Sequence, residues 1–408
     1  MGFDKQTIRD ISVDNKTILV RTDYNVPIDS SGAISDDLRI RASLPTLKYL
    51  LKHNCKIIII SHLGRPDGKP NPKYTLLPVA KRLGELLGIE IDFISDCIGD
   101  KITNAVKKLK PGQILMLENV RFYPGETAND INFARAIADS TGARYFVQDG
   151  FGVVHRAHAT TSAITHFIPS VAGFLLEKEV IALSEAINGE KRPLVAVLGG
   201  AKVSDKISVI EKLVKSADKI LIGGAMANTF LNYRGISLGS TKIEPNEEKT
   251  LDKIYELAID RVGIDNIDEF IILPIDVAVA TNPSAFRRRS VPLQSINMDE
   301  MVFDIGDATA YKFCKEIDGA KTIIWNGTMG LAENPTFSYG SSVLAKFITN
   351  IPDAVSIIGG GDTADFILKW CKYNNGKFHH ISTGGGASLD LIAGRKLPGI
   401  EALLALKK

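Results

Sequence analysis

Cysteine is scarce. The 408 residues hold four, Cys55, Cys97, Cys314 and Cys371, far apart and with no Cys-x-x-Cys pair. This excludes a disulfide-stapled scaffold and predicts reduced, mostly buried thiols in a cytoplasmic protein. An excess of one charge is also missing: 49 Lys+Arg against 47 Asp+Glu leave a net charge of +2. No global basic field draws in nucleic acid or an anionic membrane, so any anion site must be local. No apolar run approaches the 18 or so residues of a membrane helix, and the opening MGFDKQTIRD has no signal-like apolar stretch. Gly2 is followed by Gln6 where a myristoylation signal needs Ser or Thr, and Asn15-Lys-Thr17 matches a glycosylation site by chance. Low-complexity tracts, short repeats and the phosphate-loop pattern GxxxxGK[ST] are absent as well. With 45% hydrophobic and 24% charged residues, what remains is a globular chain long enough for two or three domains.

Short β-rich runs alternate with stretches apolar at helical spacing, such as LLPVAKRLGELLG and DKISVIEKLVKSA. The runs are Thr17–Val20, Lys56–Ser61, Glu90–Ile94, Gln113–Leu117 and Tyr145–Gln148 in the first half. Leu194–Leu198, Lys219–Ile222, Phe270–Ile275, Thr322–Trp325, Val355–Ile358 and His380–Ser382 follow in the second. Such alternation predicts parallel sheets covered by helices on both faces. A (β/α)8 barrel would leave much of the chain over. Two doubly wound, Rossmann-like α/β domains fit better: 1–171, a linking helix Ala172–Asn188 ended by Gly189–Pro193, and 189–390. The linking helix reads as a hinge.

Ligands of parallel sheets bind beyond the carboxyl ends of the strands. In the first half those ends carry Arg21-Thr-Asp23-Tyr-Asn25, Asp37-Leu-Arg39, His62-Leu-Gly-Arg65, Glu118-Asn-Val-Arg121 and Asp149…His155-Arg156-Ala-His158. Arginine forks receive carboxylate and phosphate, so this rim predicts a small, multiply charged anion. Ion pairing with Asp23, Glu118 and Asp149 is the structural alternative. In the second half the ends carry glycines: Gly199-Gly200-Ala-Lys202…Lys206, Gly223-Gly224-Ala225, Asn326-Gly327-Thr328, Gly359-Gly360-Gly361-Asp362-Thr363 and Gly384-Gly385-Gly386. Glycine admits close backbone approach, and a helix N-terminus beyond it favours phosphate. Lys202 and Lys206 are spaced to share a helix face. Asp362 is either an N-cap or a Mg²⁺ ligand beside phosphates. Five such loops predict a nucleotide polyphosphate site.

Other readings are weaker. GGGDTA (Gly359–Ala364) matches a dinucleotide fingerprint, yet the next strand ends in Ser382-Thr383 rather than an acid, against an NAD-dependent dehydrogenase. Arg287-Arg288-Arg289 lacks an aromatic platform for nucleic acid and reads as a solvated loop. The histidines lack metal-site context. His62 and His155 read as donors to an anion; His53, His166, His379 and His380 read as structural.

The ordered set RTDYNVP, DDLRI, SHLGRP, LENVRF, HRAH, GGAKVSDK, WNGTMG, GGGDTAD and STGGGAS, from about Arg21 to Pro398, resembles the phosphoglycerate kinase family. The resemblance implies phosphoryl transfer between ATP and the carboxylate of 3-phosphoglycerate, with Mg²⁺, by a monomeric cytoplasmic enzyme binding neither membrane nor nucleic acid. An inactive nucleotide-binding scaffold is the other class. The family pattern assigns 3-phosphoglycerate to Asp23, Asn25, Arg39, His62, Arg65, Arg121 and Arg156. It assigns the nucleotide phosphates to Lys202, Lys206, Asn326, Gly360, Gly361 and Thr363, the adenine slot to Gly223 and Gly224, the ribose to Glu333 and Mg²⁺ to Asp362. Arg39 and Lys206 would be catalytic, assisted by Gly361 and Gly385 at helix N-termini. Arg21 would be structural, and the last segment, about Leu391–Lys408, would cross back to the first domain. The chain departs from the family pattern at Ala225 for a third glycine, where a methyl would narrow the adenine slot, in DGFGVVHRAHAT, which changes neighbours of Arg156 but not Arg156 itself, and at Asp307 and Thr328, each where proline is usual.

Overall fold

A computed structural model describes residues 3–29 and 32–406. Two compact units emerge, one from the described part of Gly2–Ile181 with Lys396–Lys408, the other from Ala182–Arg395.

The first unit is built on a six-stranded parallel sheet of β1 (Thr17–Arg21), β2 (Lys56–Ile60), β3 (Asp92–Ile94), β4 (Ile114–Leu117), β5 (Tyr145–Gln148) and β6 (Ser170–Ala172). Their order is β3-β4-β2-β1-β5-β6. Strands buried on both faces need apolar residues without alternation, and the KIIII of β2 supplies them. Period two still sorts the side chains: Ile18, Val20, Ile57 and Ile59 enter one core cluster, and Leu19, Ile58 and Ile60 the other. Leu404 N–H donates to Ser170 O (2.9 Å) and Gly399 N–H to Val154 O (2.9 Å), so the C-terminal residues pack on this unit.

The second unit holds β7 (Leu194–Leu198), β8 (Lys219–Ile222), β9 (Ile271–Ile272), β13 (Thr322–Asn326), β14 (Val355–Gly359) and β15 (His380–Ile381), ordered β15-β14-β13-β7-β8-β9. Between β9 and β13 in the chain lies a three-stranded antiparallel sheet of β10 (Asp276–Ala280), β11 (Arg289–Pro292) and β12 (Met301–Ile305). Asp276 ties it to the helix Asp307–Ile317, accepting from Thr309 N–H (2.7 Å), Thr309 Oγ1 (2.6 Å), Ala308 N–H (3.0 Å) and Ser290 Oγ (3.0 Å).

The parallel architecture is as expected; several details differ. The run Phe270–Ile275 is strand only at Ile271–Ile272, because Pro274 cannot continue a ladder, and the antiparallel sheet was not anticipated. Ala172 closes β6, so the linking helix is Phe174–Asn188 rather than Ala172–Asn188. Arg287–Arg289 is not merely a solvated loop. Arg288 pairs with Asp307 at 2.7 Å, and Arg289 with Glu300 at 2.5 Å, on the strand β11.

Candidate active site

Loops after β1, β2, β4 and β5 build a basic basin at the carboxyl edge of the first sheet. Asn119, just past β4, braces it: its Nδ2 donates to Leu63 O (2.7 Å) and Tyr74 O (2.9 Å), and its Oδ1 accepts from Arg121 N–H (3.0 Å). Gly64 has φ +61°, and a Cβ there would lie 2.3 Å from the Tyr74 ring, so only glycine fits. Arg121 Nη1 donates to Gly64 O at 2.8 Å, while its Nε, though buried, has no partner.

Arg65, Arg121, Arg156 and His158 line a cavity of about 370 Å³, with Asp67, Gly68 and Thr127 on its wall. Burial lowers Arg121 to about 10, with the like charges of Arg21 and Arg156 adding to the effect. Burial likewise lowers His158 to about 4 and holds His62 well below its ordinary value, and in both the neighbouring arginines deepen the shift. Both imidazoles are therefore neutral at pH 7 and can each donate one N–H. Crowded cations with an unused donor favour an incoming anion.

Asp23, Asn25, Arg39 and His62 form a second cluster that does not line this cavity. Arg39, in the first turn of the helix Leu38–Lys52, donates from Nη1 to both Asp23 oxygens and to Asn25 O, all at 3.1 Å. Asn25 Oδ1 accepts from Gly64 N–H (2.8 Å), and His62 Nδ1 lies 3.8 Å from Asp23 Oδ1. The ion-pair alternative thus applies to Arg39 with Asp23. Glu118 instead accepts from Thr75 Oγ1 (2.7 Å) and Leu76 N–H (2.9 Å), and Asp149 from Leu175 N–H (2.9 Å), neither with an arginine partner. Arg21 is fully buried, bonded to Thr160 Oγ1 (2.8 Å) and 3.7 Å from Glu126, a structural placement. His158, not the expected His155, reaches the cavity wall.

In the second unit a cleft of about 680 Å³ opens at the carboxyl ends of β7, β8, β13 and β14, where the strand order reverses direction from β7. Gly200, Gly224, Ala225, Thr328, Glu333 and Asp362 all line it. Gly327 has φ +95°, and a Cβ there would meet Gly199 O at 2.1 Å, so the two loops touch backbone to backbone. Lys206 closes this corner: its Nζ donates to Gly199 O and lies 3.4 Å from Asn326 O. Burial lowers Lys206 to about 8, against the pull of Asp205 and Asp362. Asn326 is 1% exposed, and its Nδ2 has no partner beside Gly359 and Gly360.

Several expected residues sit otherwise. Lys202 is exposed and precedes the 3-10 turn Ser204–Lys206, so it does not share a helix face with Lys206. Thr363 is buried, its hydroxyl accepting from Gly327 N–H (2.7 Å). Gly223, Gly360, Gly361 and Gly385 are not among the residues that line the cleft; Gly385 sits at the N-terminus of the helix Gly386–Ile392. The N-cap of the helix Gly361–Asn374 is Gly360, with φ +88°, so Asp362 is not an N-cap but a first-turn carboxylate open to the cleft. Asp365, Phe366 and Lys369, one face of that helix, join it; their spacing from Asp362 is the signal that could have found them. Met301–Asp304 of β12 form a further wall, hidden to sequence reading along with their sheet.

An arginine basin on one parallel sheet and a glycine-rimmed cleft with a lysine and an open carboxylate on another define a phosphotransferase with an anionic acceptor. The particular family is then plain. Residues 8–395 match the family model for phosphoglycerate kinase, and the chain belongs to that family. It is 42% identical to phosphoglycerate kinase of Moorella thermoacetica, over 98% of this chain and 99% of that one. It is 45% identical to that of Chloroflexus aggregans, with the same coverage. The solved structure of phosphoglycerate kinase from Coxiella burnetii superposes with a TM-score of 0.83 at 34% identity, covering 98% of each chain. The Pyrococcus horikoshii enzyme gives 0.83 at 33%, with the same coverage. The protein is accordingly an enzyme, a kinase acting on 3-phosphoglycerate with ATP, and the dehydrogenase and scaffold alternatives are not favoured. No helix among the described residues is long and apolar enough to cross a membrane.

Proposed function

We propose that the basic basin receives 3-phosphoglycerate and the glycine-rimmed cleft receives the nucleotide, with the roles divided among these residues. Arg65, Arg121 and Arg156 bind the acceptor's phosphate, and neutral His62 and His158 add N–H donors. Asp23 and Asn25 hold Arg39 in place. Arg39 faces charge developing on the moving phosphoryl group, and Lys206 does the same from the nucleotide side, with the helix N-termini at Gly361 and Gly385 assisting. Asn326 offers its unused Nδ2 to a phosphate oxygen, and Glu333 accepts from the ribose hydroxyls. Gly360, Gly361, Thr363 and Lys202 shape the phosphate end, and Gly223 and Gly224 the adenine slot. The acceptor carboxylate is already ionised at pH 7, so the transfer needs no general base. It rests on positioning and charge stabilisation.

The donor set fits Mg²⁺. No group of three or more His, Cys, Asp or Glu side chains able to hold a metal occurs among the described residues. Mg²⁺, however, characteristically takes one or two carboxylates and completes its shell with water and substrate phosphates. Asp362 is such a carboxylate, and when bound the ion would neutralise phosphate charge during transfer. We also read the enzyme as monomeric and cytoplasmic; four free cysteines, three of them buried, suit a reducing compartment. Light scattering coupled to size exclusion checks the monomer.

The observation that carries the metal assignment is the open Asp362 carboxylate. Asp362→Asn keeps the shape and removes the charge. It should raise the Mg²⁺ concentration needed for half-maximal turnover at least tenfold and leave the KM for 3-phosphoglycerate unchanged. An unaltered Mg²⁺ requirement would remove Asp362 from the metal site.

A further inference from the structure

Glu126 is a carboxylate with no access to solvent, beside the basic basin yet not part of its wall. It sits in the short helix Pro124–Thr127, which follows the 3-10 turn Val120–Phe122 that carries Arg121. Pro124 and Thr127 line the cavity, whereas Glu126 turns toward the loop after β5. There Thr160 N–H donates to Glu126 Oε2 (3.0 Å) and Thr160 Oγ1 to Oε1 (2.7 Å), while the Glu126 carbonyl accepts from Ala159 N–H (2.9 Å). His158 Nδ1 lies 3.7 Å from Oε1. The same oxygen lies 3.7 Å from Arg21 Nη2, and Thr160 Oγ1 accepts from Arg21 Nε (2.8 Å). Arg21 in turn reaches His62, with Nη2 at 3.4 Å from Nδ1. Asn129 adds a second tie between the same segments, its Oδ1 accepting from Ala163 N–H (3.2 Å). A carboxylate shut away from water is tolerated only when paired and hydrogen-bonded, so these contacts stand or fall together. Burial lowers Arg21, and the charges of Glu126 and Asp23 work against that shift.

We propose that Glu126 is a positioning residue for the acceptor: it holds the loop of Arg156 and His158 against the turn of Arg121, so that their donors converge on one anion. It touches neither substrate itself. This rests on the reading of the basin as the 3-phosphoglycerate site. A small anion is held tightly when its donors already converge before it arrives. Charge alone predicts the opposite sign. A carboxylate beside arginines repels an incoming anion, so neutralising it would by itself tighten binding. The direction in which affinity moves therefore separates alignment from simple electrostatics.

The test is steady-state kinetics of the full-length variants Glu126→Gln, Thr160→Val and Arg121→Ala, with melting temperatures alongside. Glu126→Gln keeps the volume and one acceptor for Thr160 but loses the charge that faces Arg21. Its KM for 3-phosphoglycerate should rise roughly tenfold or more, with kcat within about threefold of wild type and the KM for ATP unmoved. Thr160→Val, close in volume, leaves the carboxylate in place and removes the hydroxyl between it and Arg21. It should raise the same KM by a smaller factor. A KM for 3-phosphoglycerate that falls in Glu126→Gln means that the carboxylate acts by charge, and one that stays put means that it only supports the fold; either result overturns the inference. Should Glu126→Gln not fold, Thr160→Val decides alone, and an unmoved KM there overturns it. Arg121→Ala shows which reading has failed. If it raises the KM and Glu126→Gln does not, the positioning role falls and the basin keeps its ligand. If Arg121→Ala leaves the KM unmoved, the basin is not the acceptor site and both fall.

Discussion

Arg39 and Arg65 are both arginines on the acceptor side, yet their surroundings separate them. Arg39 is fixed by three hydrogen bonds at 3.1 Å, and its partner Asp23 is 8% exposed. Arg65 is exposed on the cavity rim and carries its charge into the basin. A held fork suits a transition state, and a mobile one suits ground-state capture. Arg39→Ala should therefore lower kcat by roughly 10²–10³. Arg65→Ala should mainly raise the KM for 3-phosphoglycerate. Steady-state kinetics on the two variants separate the roles, and an unchanged kcat for Arg39→Ala would withdraw the catalytic assignment. That Arg65, Arg121 and Arg156 share one cavity was legible because each lies in a loop that follows a strand, and parallel-sheet topology sends strand ends to one rim. His158 was not: HRAH offers two histidines, and only the turn holding His158 beside Glu126, with Nδ1 at 3.7 Å, decides between them. Lys202 misled for a related reason. The spacing to Lys206 is helical, but the chain there is still a loop, and Gly200 at φ +89° takes it out of register.

At the level of elements, the strands read most clearly where both faces are buried, since isoleucine and valine runs such as β2 and β7 have no other home. The antiparallel sheet was illegible because β11 is largely exposed and β10 follows directly on β9 across Pro274, merging into one apolar stretch. The glycine loops were legible as loops, but not which glycines face ligand and which face other backbone. Gly327 belongs to the second kind. Gly327→Ala would place a Cβ 2.1 Å from Gly199 O at φ +95°, and the backbone strain alone costs about 1–3 kcal/mol. Denaturant melts should show that loss, together with weaker nucleotide binding because Gly199 anchors Lys206. A fully stable variant with wild-type affinity would mean that the β7 and β13 loops need not touch. Asp149, where β5 meets the helix Phe174–Asn188, gives a pH signature. Burial raises its carboxyl to about 7, so the folded protein keeps a proton that the unfolded chain has released, from about pH 4 up to 7. Stability from this group therefore falls as pH rises through that window, by at most about 1.4 kcal/mol per unit, and levels off above 7. Asp149→Asn keeps an acceptor for Leu175 N–H and removes the ionisation. Its melting temperature should decline less than wild type between pH 5 and 8, and parallel curves would contradict the shift.

For the whole molecule, the chain passes between its two units twice, inside the helix Phe174–Asn188 at Ile181 and again after Arg395. Arg39 and Arg65 belong to one unit, Lys206 and Asp362 to the other. Phosphoryl transfer requires reacting atoms about 3–3.5 Å apart, shielded from water that would otherwise take the phosphoryl group. An enzyme that must also admit two highly charged ligands and release two products cannot keep that geometry permanently, so it has to alternate between an admitting and a reacting state. A ligand shifts such an equilibrium only by its differential affinity for the two states. On the assignment proposed above, 3-phosphoglycerate bound alone would meet residues of one unit and the nucleotide residues of the other, so each would have little preference for the reacting state. Only the pair would engage both sets of charges, and its preference would exceed the sum of the two. The helix Phe174–Asn188 and its ends, being continuous across the division, are where the change of backbone angles is expected to concentrate. Small-angle scattering should show the radius of gyration falling slightly with either ligand and most with both, using a non-transferring ATP analogue to hold the ternary state. A radius unchanged at saturation with both ligands would place the motion, and the hinge, elsewhere.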